Sequence, residues 1–207
     1  ELVVYHEDYE DHGYYFYHVH VGEKLVKLRI KGDPPGWLTD SHIQAKGRMW
    51  NQQLTVDEAN LSLLTAPLVS GAQTTLLLFI NFSDKALLVS LDNLRTLLFT
   101  DVNGFDLENS YSQTWLIGDA IGPLTIPLTS TVCDYSTLAL QAKAAATNAG
   151  VQLSNYKRYV YVFPKNFCGW WGLGTVGGNP SQAWINGNPQ LRVIAHEMGH
   201  NFGLYHS

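Results

Sequence analysis

The chain has 207 residues, 45% of them hydrophobic and 15% charged, with a formal net charge of -5. That is the composition of one medium globular domain or two smaller ones, and its acidic balance argues against a nucleic-acid partner, which needs a basic stripe to displace phosphate counterions. The longest apolar run, Thr74 to Phe82, is far short of the roughly 20 residues of a membrane-spanning helix.

In chain order, residues 1 to about 65 read as all-β. Glu1-Leu2-Val3-Val4-Tyr5 reads as a strand rather than a secretory leader. Tyr14 to Val21 and Leu25 to Ile30 are predicted strands, the second alternating with period two. Asp33-Pro34-Pro35-Gly36 breaks the chain, and His42 to Trp50 with Leu54 to Val56 suggests a hairpin about Asn51. Five short strands suit a small OB-like barrel, with a sandwich fragment as the alternative. Residues 66–72, Ala66-Pro67 through Gly71-Ala72, read as a linker.

From residue 73 the character changes. Thr74 to Phe82 is a continuous apolar strand of the kind buried on both faces. Ser90 is an expected N-cap for a helix to about Phe99, and Thr114 to Ile117 and Gly122 to Pro127 read as strands. Asp134 to Asn148 is Ala-rich and helical, Tyr156 to Phe163 is a strand, and an aromatic, Gly-rich stretch continues to Gly187. A last helix is expected from Asn188 as N-cap and Pro189 as its first residue. The alternation indicates α/β layer packing for residues 73–207, so the chain as a whole is α+β.

The chemistry concentrates in His196-Glu197-Met198-Gly199-His200-Asn201-Phe202-Gly203-Leu204-Tyr205-His206. Positions i and i+4 share a helix face, so His196 and His200 can offer imidazoles to one ion. Glu197 lies about 100° round, within reach of the metal's water without being a ligand. Leu191, Ile194, Met198 and Phe202 fall on the opposite side, to be buried against the sheet. Gly203 lets the backbone turn at positive φ and bring His206 in from a new direction. These are the only histidines between residues 66 and 207.

His-Glu-x-x-His-x-x-Gly-x-x-His is the metzincin signature. The surrounding text resembles the gametolysin family of zinc endopeptidases in Leu76 to Phe82, Glu108 to Gln113, Gly172 to Pro180 and Ala195 to Ser207. The resemblance implies a Zn2+ cofactor held by His196, His200 and His206. It implies a zinc-activated water with Glu197 as general base, and protein or peptide substrates outside the cell. It also implies that Gly172 to Ile185 holds the edge strand for an extended substrate, with Gly174, Thr175, Val176 and Gly177 as substrate-binding residues. Trp170, Trp171 and Trp184 are candidates for its side-chain pockets, or for core anchors. The family carries a methionine in a turn downstream of the third ligand, whereas the methionines here are Met49 and Met198. The expectation is therefore a metzincin-type domain truncated after the active-site helix, its upper subdomain only. A zinc-containing binding module without turnover is the alternative. The even cysteine count, in a chain resembling secreted enzymes, predicts a disulfide between Cys133 and Cys168.

Residues 1–65 stand where such a protease has a pro-segment or an ancillary module. They hold His6, His12, His18, His20 and His42 but no cysteine to silence zinc, so an inhibitory role needs a carboxylate, a histidine or steric blockage. Glu7, Asp8, Glu10 and Asp11 lie in one short stretch, and a carboxylate can fill the open fourth position on zinc. His18 and His20 share a strand face, where solvated histidines outweigh a second metal site. Six Lys/Arg against ten Asp/Glu in this region argue against single-strand nucleic-acid binding.

Overall fold

The computed structural model describes residues 1–9, 11–65, 69–187 and 189–206. Ten strands form one open sheet: β1 (Leu2–Asp8), β2 (Gly13–Val21), β3 (Lys24–Lys31), β4 (His42–Trp50), β5 (Gln53–Thr65), β6 (Gly71–Phe82), β7 (Thr114–Ile126), β8 (Arg158–Phe163), β9 (Gly172–Thr175) and β10 (Ser181–Asn186). Their order is β4-β5-β3-β2-β1-β9-β10-β8-β6-β7. The fold is mixed α+β, and no closed barrel forms among the described residues. In place of the expected barrel, β1, β2, β3, β5 and β4 run outward as an open succession. Only hydrogen bonds between Leu2 and the Asp40–Ser41 turn bring the start of β4 towards β1. Their inward residues, Leu2, Val4, Tyr17, Val19, Val26, Leu28 and Val56, alternate along their strands and form a core with Val176.

β6 lies between β7 and β8, parallel to both. Its period of two deals its apolar residues to opposite faces. Leu76, Leu78, Ile80 and Phe82 pack with α3 (Tyr135–Asn148), whose buried face is Leu138, Ala139, Ala142 and Ala146. Leu77 and Phe79 pack on the other side with α1 (Leu91–Thr96) and α4 (Leu191–Asn201). Small alanines let α3 approach closely, and Asp134 caps it by accepting from the Thr137 N–H.

Several expected boundaries move. The first helix is capped by Ser90 as predicted but continues beyond Phe99, through a π-helical segment at Leu97–Val102 into α2 (Asn103–Asn109). β7 is one strand rather than two. Gly118 and Gly122 sit inside it at positive φ, where a Cβ on Gly118 would stand 1.9 Å from the Thr75 carbonyl oxygen. Gly71 and Ala72 open β6 instead of ending a linker; residues 66–68 lie outside the described residues. The Gly-rich stretch read as loop contains β9 and β10. α4 begins at Leu191, leaving Pro189 outside it, and Asn188 lies outside the described residues. Ile194 and Met198 are buried as predicted, whereas Leu191 is exposed. Cys133 and Cys168 form a disulfide. No helix is long and apolar enough to cross a membrane.

Candidate metal centre

α4 packs across β9 and β10, and two buried side chains hold it there. Asn201 donates from Nδ2 to the carbonyls of Thr175 (3.0 Å) and Gln182 (2.9 Å). Arg158 donates from Nη1 to the carbonyl of Asn201 at 2.9 Å, and also to Gly178 and Ser181. Its Nε and Nη2 donate to Gln73 on β6. A guanidinium against the last carbonyls also suits the negative end of the helix dipole. Burial lowers its pKa to about 10, so it stays charged at neutral pH.

The helix presents His196 and His200 one turn apart. His200 Nδ1 lies 2.8 Å from the Leu204 carbonyl oxygen. A carbonyl only accepts, so Nδ1 carries the proton and Nε2 is left as a free lone pair. Gly203, at φ +95, turns the chain and brings back His206, whose backbone N–H donates to the Tyr15 hydroxyl at 2.8 Å. The Nε2 of His196 then lies 3.1 Å from that of His200 and 2.9 Å from that of His206.

Two residues of β1 complete the cluster. Asp8 Oδ2 touches the Nε2 of His196 and lies 3.8 Å from the Nε2 atoms of His200 and His206. His6, fully buried, has its ring centroid 4.5 Å from that of His200 and 4.2 Å from that of His206. Donor atoms of all five residues fall within 4.8 Å of one another, a grouping that could hold a metal ion. Burial, then the charge of His200, push the His6 imidazole down to about 3, keeping it neutral. Burial alone would raise the Asp8 carboxyl, but hydrogen bonding and charge from His196 and His200 hold it below the usual carboxylate range.

Glu197 is buried on the sheet side of α4, and its Oε2 has no hydrogen-bonding partner. Burial, reinforced by the charge of Asp8, raises its pKa well above the ordinary value. The space it fills exists because β9 carries glycines. A Cβ on Gly172 would meet Glu197 Oε1 at 2.0 Å, and one on Gly174 would meet Oε2 at 2.9 Å. Beside it opens a cleft of about 450 Å³, lined by Asp8, Tyr9, Trp171, Arg192 and His196 among others. A second, more apolar cavity of about 930 Å³ reaches all three histidines together with Phe105, Asp106 and Leu204.

His196, His200, His206 and Glu197 thus come together. Gly174 and Thr175 lie on β9, with Val176 and Gly177 just after it, all buried against β1 or α4. Thr175 pairs with Tyr5 and Gly174 with His6; the Val176 N–H donates to the Val4 carbonyl, and the Gly177 N–H to that of His200. Trp170 and Trp184 are core residues, while Trp171 lines the cleft under Arg192. His18 packs edge-on against Tyr5 and His20 is exposed, so they join no cluster among the described residues. Sequence reasoning placed Asp8 only among several acidic candidates and gave His6 no role. The signal was a His and an Asp two apart on an alternating strand, hence on one face.

A helix-borne set of converging imidazoles beside a buried carboxylate defines a centre able to bind a metal ion. The family model described as Gametolysin peptidase M11 matches residues 104–207, half of the chain and all of α4, and the chain belongs to this family of peptidases. No curated protein matches it.

Proposed function

We propose that the chain carries the active site of a zinc-dependent metalloendopeptidase acting on extracellular proteins, with His196, His200 and His206 as ligands and Glu197 as general base. The observation that carries this reading is the convergence of the three Nε2 atoms within the stretch matched by the peptidase family. The donor set fits zinc. Neutral imidazole lone pairs are suitable ligands, and donors at about 2.0–2.1 Å around a tetrahedral ion stand roughly 3.3 Å apart. The observed separations of 2.9 and 3.1 Å lie close to that spacing. The His200–Leu204 hydrogen bond fixes the tautomer ligation requires.

When bound, the ion supplies Lewis-acid polarisation of the scissile carbonyl. Glu197 accepts the proton of the attacking water and passes it to the departing amine nitrogen. Its raised pKa suits it to both steps, since a carboxylate basic enough to take a proton near neutrality can also return it. β9, with Gly174, Thr175, Val176 and Gly177, supplies main-chain hydrogen bonds to an extended peptide. The Cys133–Cys168 disulfide supports an oxidising, extracellular setting. Residues 1–65 serve as the pro-segment of a zymogen, a role supported by the position of β1 along β9.

One zinc per chain is expected, lost in His196→Ala and His200→Ala. Full metal content in both variants would sink the ligand assignment. Glu197→Gln should keep the metal and lose peptide hydrolysis by about 10²-fold or more in the active enzyme. Hydrolysis near the parent rate would remove Glu197 as the base.

A further inference from the structure

We infer that β1 is a built-in inhibitor strand: it occupies the main-chain edge of β9 that an extended peptide would use, and it delivers the Asp8 carboxylate as an additional ligand to the ion held by His196, His200 and His206. This rests on reading the three histidines as a metal centre.

The pairing comes first. β1 runs antiparallel to β9 with Tyr5, His6, Glu7 and Asp8 opposite Thr175, Gly174, Leu173 and Gly172. The ladder extends at both ends, from the Val176 N–H to the Val4 carbonyl and from the Trp171 N–H to the Asp8 carbonyl, each at 2.8 Å. On its other side β9 pairs with β10, so β1 covers the edge β9 would otherwise present. A peptide docking by strand addition needs that same row of amides and carbonyls.

The side chains come second. Alternation sends His6 and Asp8 to the face carrying the three histidines. Asp8 Oδ2 is buried, with imidazole nitrogens as its neighbours and no ordinary hydrogen-bond donor. The tautomer set by Leu204 turns a lone pair of His200 towards this oxygen. A carboxylate buried among lone pairs is strongly unfavourable unless a cation lies among them. A strand made merely to plug the cleft would place apolar side chains there. The neighbouring strand makes room for His6 beside Asp8, because Gly13 faces it and a Cβ there would stand 2.3 Å from His6 Nε2.

The N-terminal sheet fastens this strand in place. β1 is fully paired to β2 from Leu2 to Asp8, and Thr39 Oγ1 accepts from the Val4 N–H at 2.9 Å. The same sheet reaches the third histidine through Tyr15. Exposing β9 and removing Asp8 from the ligand set are therefore one event, the withdrawal of β1.

The test loads the 207-residue chain with cobalt(II), whose visible absorption reports its ligands, and compares it with Asp8→Ala, Asp8→Asn and the exposed control Asp33→Ala. Asp8→Ala and Asp8→Asn should shift the visible band, and Asp33→Ala should match the parent. Acetohydroxamate, a small metal chelator, should bind the Asp8 variants at least about tenfold more tightly than the parent. Identical spectra and identical acetohydroxamate affinity would overturn the assignment of Asp8 while leaving the histidine centre standing. If His196→Ala binds cobalt as the parent does, the histidine centre itself fails, and the inference with it. A measurement on the unmodified chain covers the case in which the variants do not fold. Zinc X-ray absorption should fit three nitrogen donors plus carboxylate oxygen and stay unchanged on adding acetohydroxamate. A parent spectrum that gains hydroxamate oxygens would overturn the proposal.

Discussion

The two halves of the chain bring donors to one cluster by different means. On α4 the helical repeat itself sets His196 and His200 one turn apart, and side chains, Arg158 and Asn201, anchor the helix to the sheet. On β1 the alternation of a strand aims His6 and Asp8, and backbone pairing to β9 and β2 positions them. The C-terminal donors are thus fixed by local geometry and a buried polar hub. The N-terminal donors are fixed by topology, through a pairing between residues distant in sequence. The first arrangement is sensitive to single side chains, while the second is sensitive to whatever separates strands.

Removing the hub gives the largest expected effect. Arg158→Met leaves the carbonyls of Gly178 and Asn201 and the Gln73 side chain without their donor, all buried. A loss of roughly 3–5 kcal/mol is expected by urea unfolding, since each orphaned acceptor costs about 1–3 kcal/mol. Arg158→Lys should recover only part of it, because an ammonium cannot reproduce the planar fork. A loss under about 1 kcal/mol in Arg158→Met would show that α4 is held by packing alone, erasing the contrast.

Matched glycines sharpen the comparison at the next level. Gly172 makes room for Glu197 on the C-terminal side, as Gly13 makes room for His6 on the N-terminal side. Gly172→Ala should displace the buried carboxylate and cost roughly 1–3 kcal/mol as an overpacked core. Metal content should be kept while peptide hydrolysis falls in the active enzyme. Gly13→Ala pushes against the far end of a ring and should cost less. Equal hydrolysis by Gly172→Ala and the parent would mean that the position of Glu197 is not set by β9.

The same contrast explains what could be read from the residues. The His196–His206 motif was legible because its information is local: spacing four on a helix, then a glycine turn. The β6 core strand and the Asp134-capped α3 were legible for the same reason. The continuation of the first helix had a readable trace, since Leu94, Leu98 and Val102 keep a spacing of four and are all buried. β7 was split because Gly118 and Gly122 look like turn residues, although inside the strand they serve close approach of its backbone to β6. β9 was missed because a four-residue, glycine-rich strand has no hydrophobic alternation. With β9 hidden, the register that brings Asp8 opposite Gly172 could not be derived, and Asp8 remained one acidic residue among four.

Two buried aspartates give the smallest expected effect. Asp8, among imidazoles, is held below the usual carboxylate range, whereas Asp106 on α2 is pushed up to about 7 by burial without a compensating donor. Asp106 Oδ2 has no hydrogen-bonding partner, and the residue borders the apolar cavity with Phe105 and Leu204. Because its folded pKa lies above the unfolded value of 3.8, the folded state holds the proton more tightly. Its penalty is therefore absent below about pH 4, grows as pH rises between the two values, and is complete above about 7. Asp106→Asn keeps the shape and removes the charge. The variant should melt close to the parent at about pH 4 and about 2–6 °C higher at about pH 8. Calorimetry at a series of pH values checks the sign, which is opposite to that of a salt-bridged carboxylate. A variant whose advantage is the same at every pH would show that Asp106 ionises at its ordinary pKa, with solvent reaching it through the cavity.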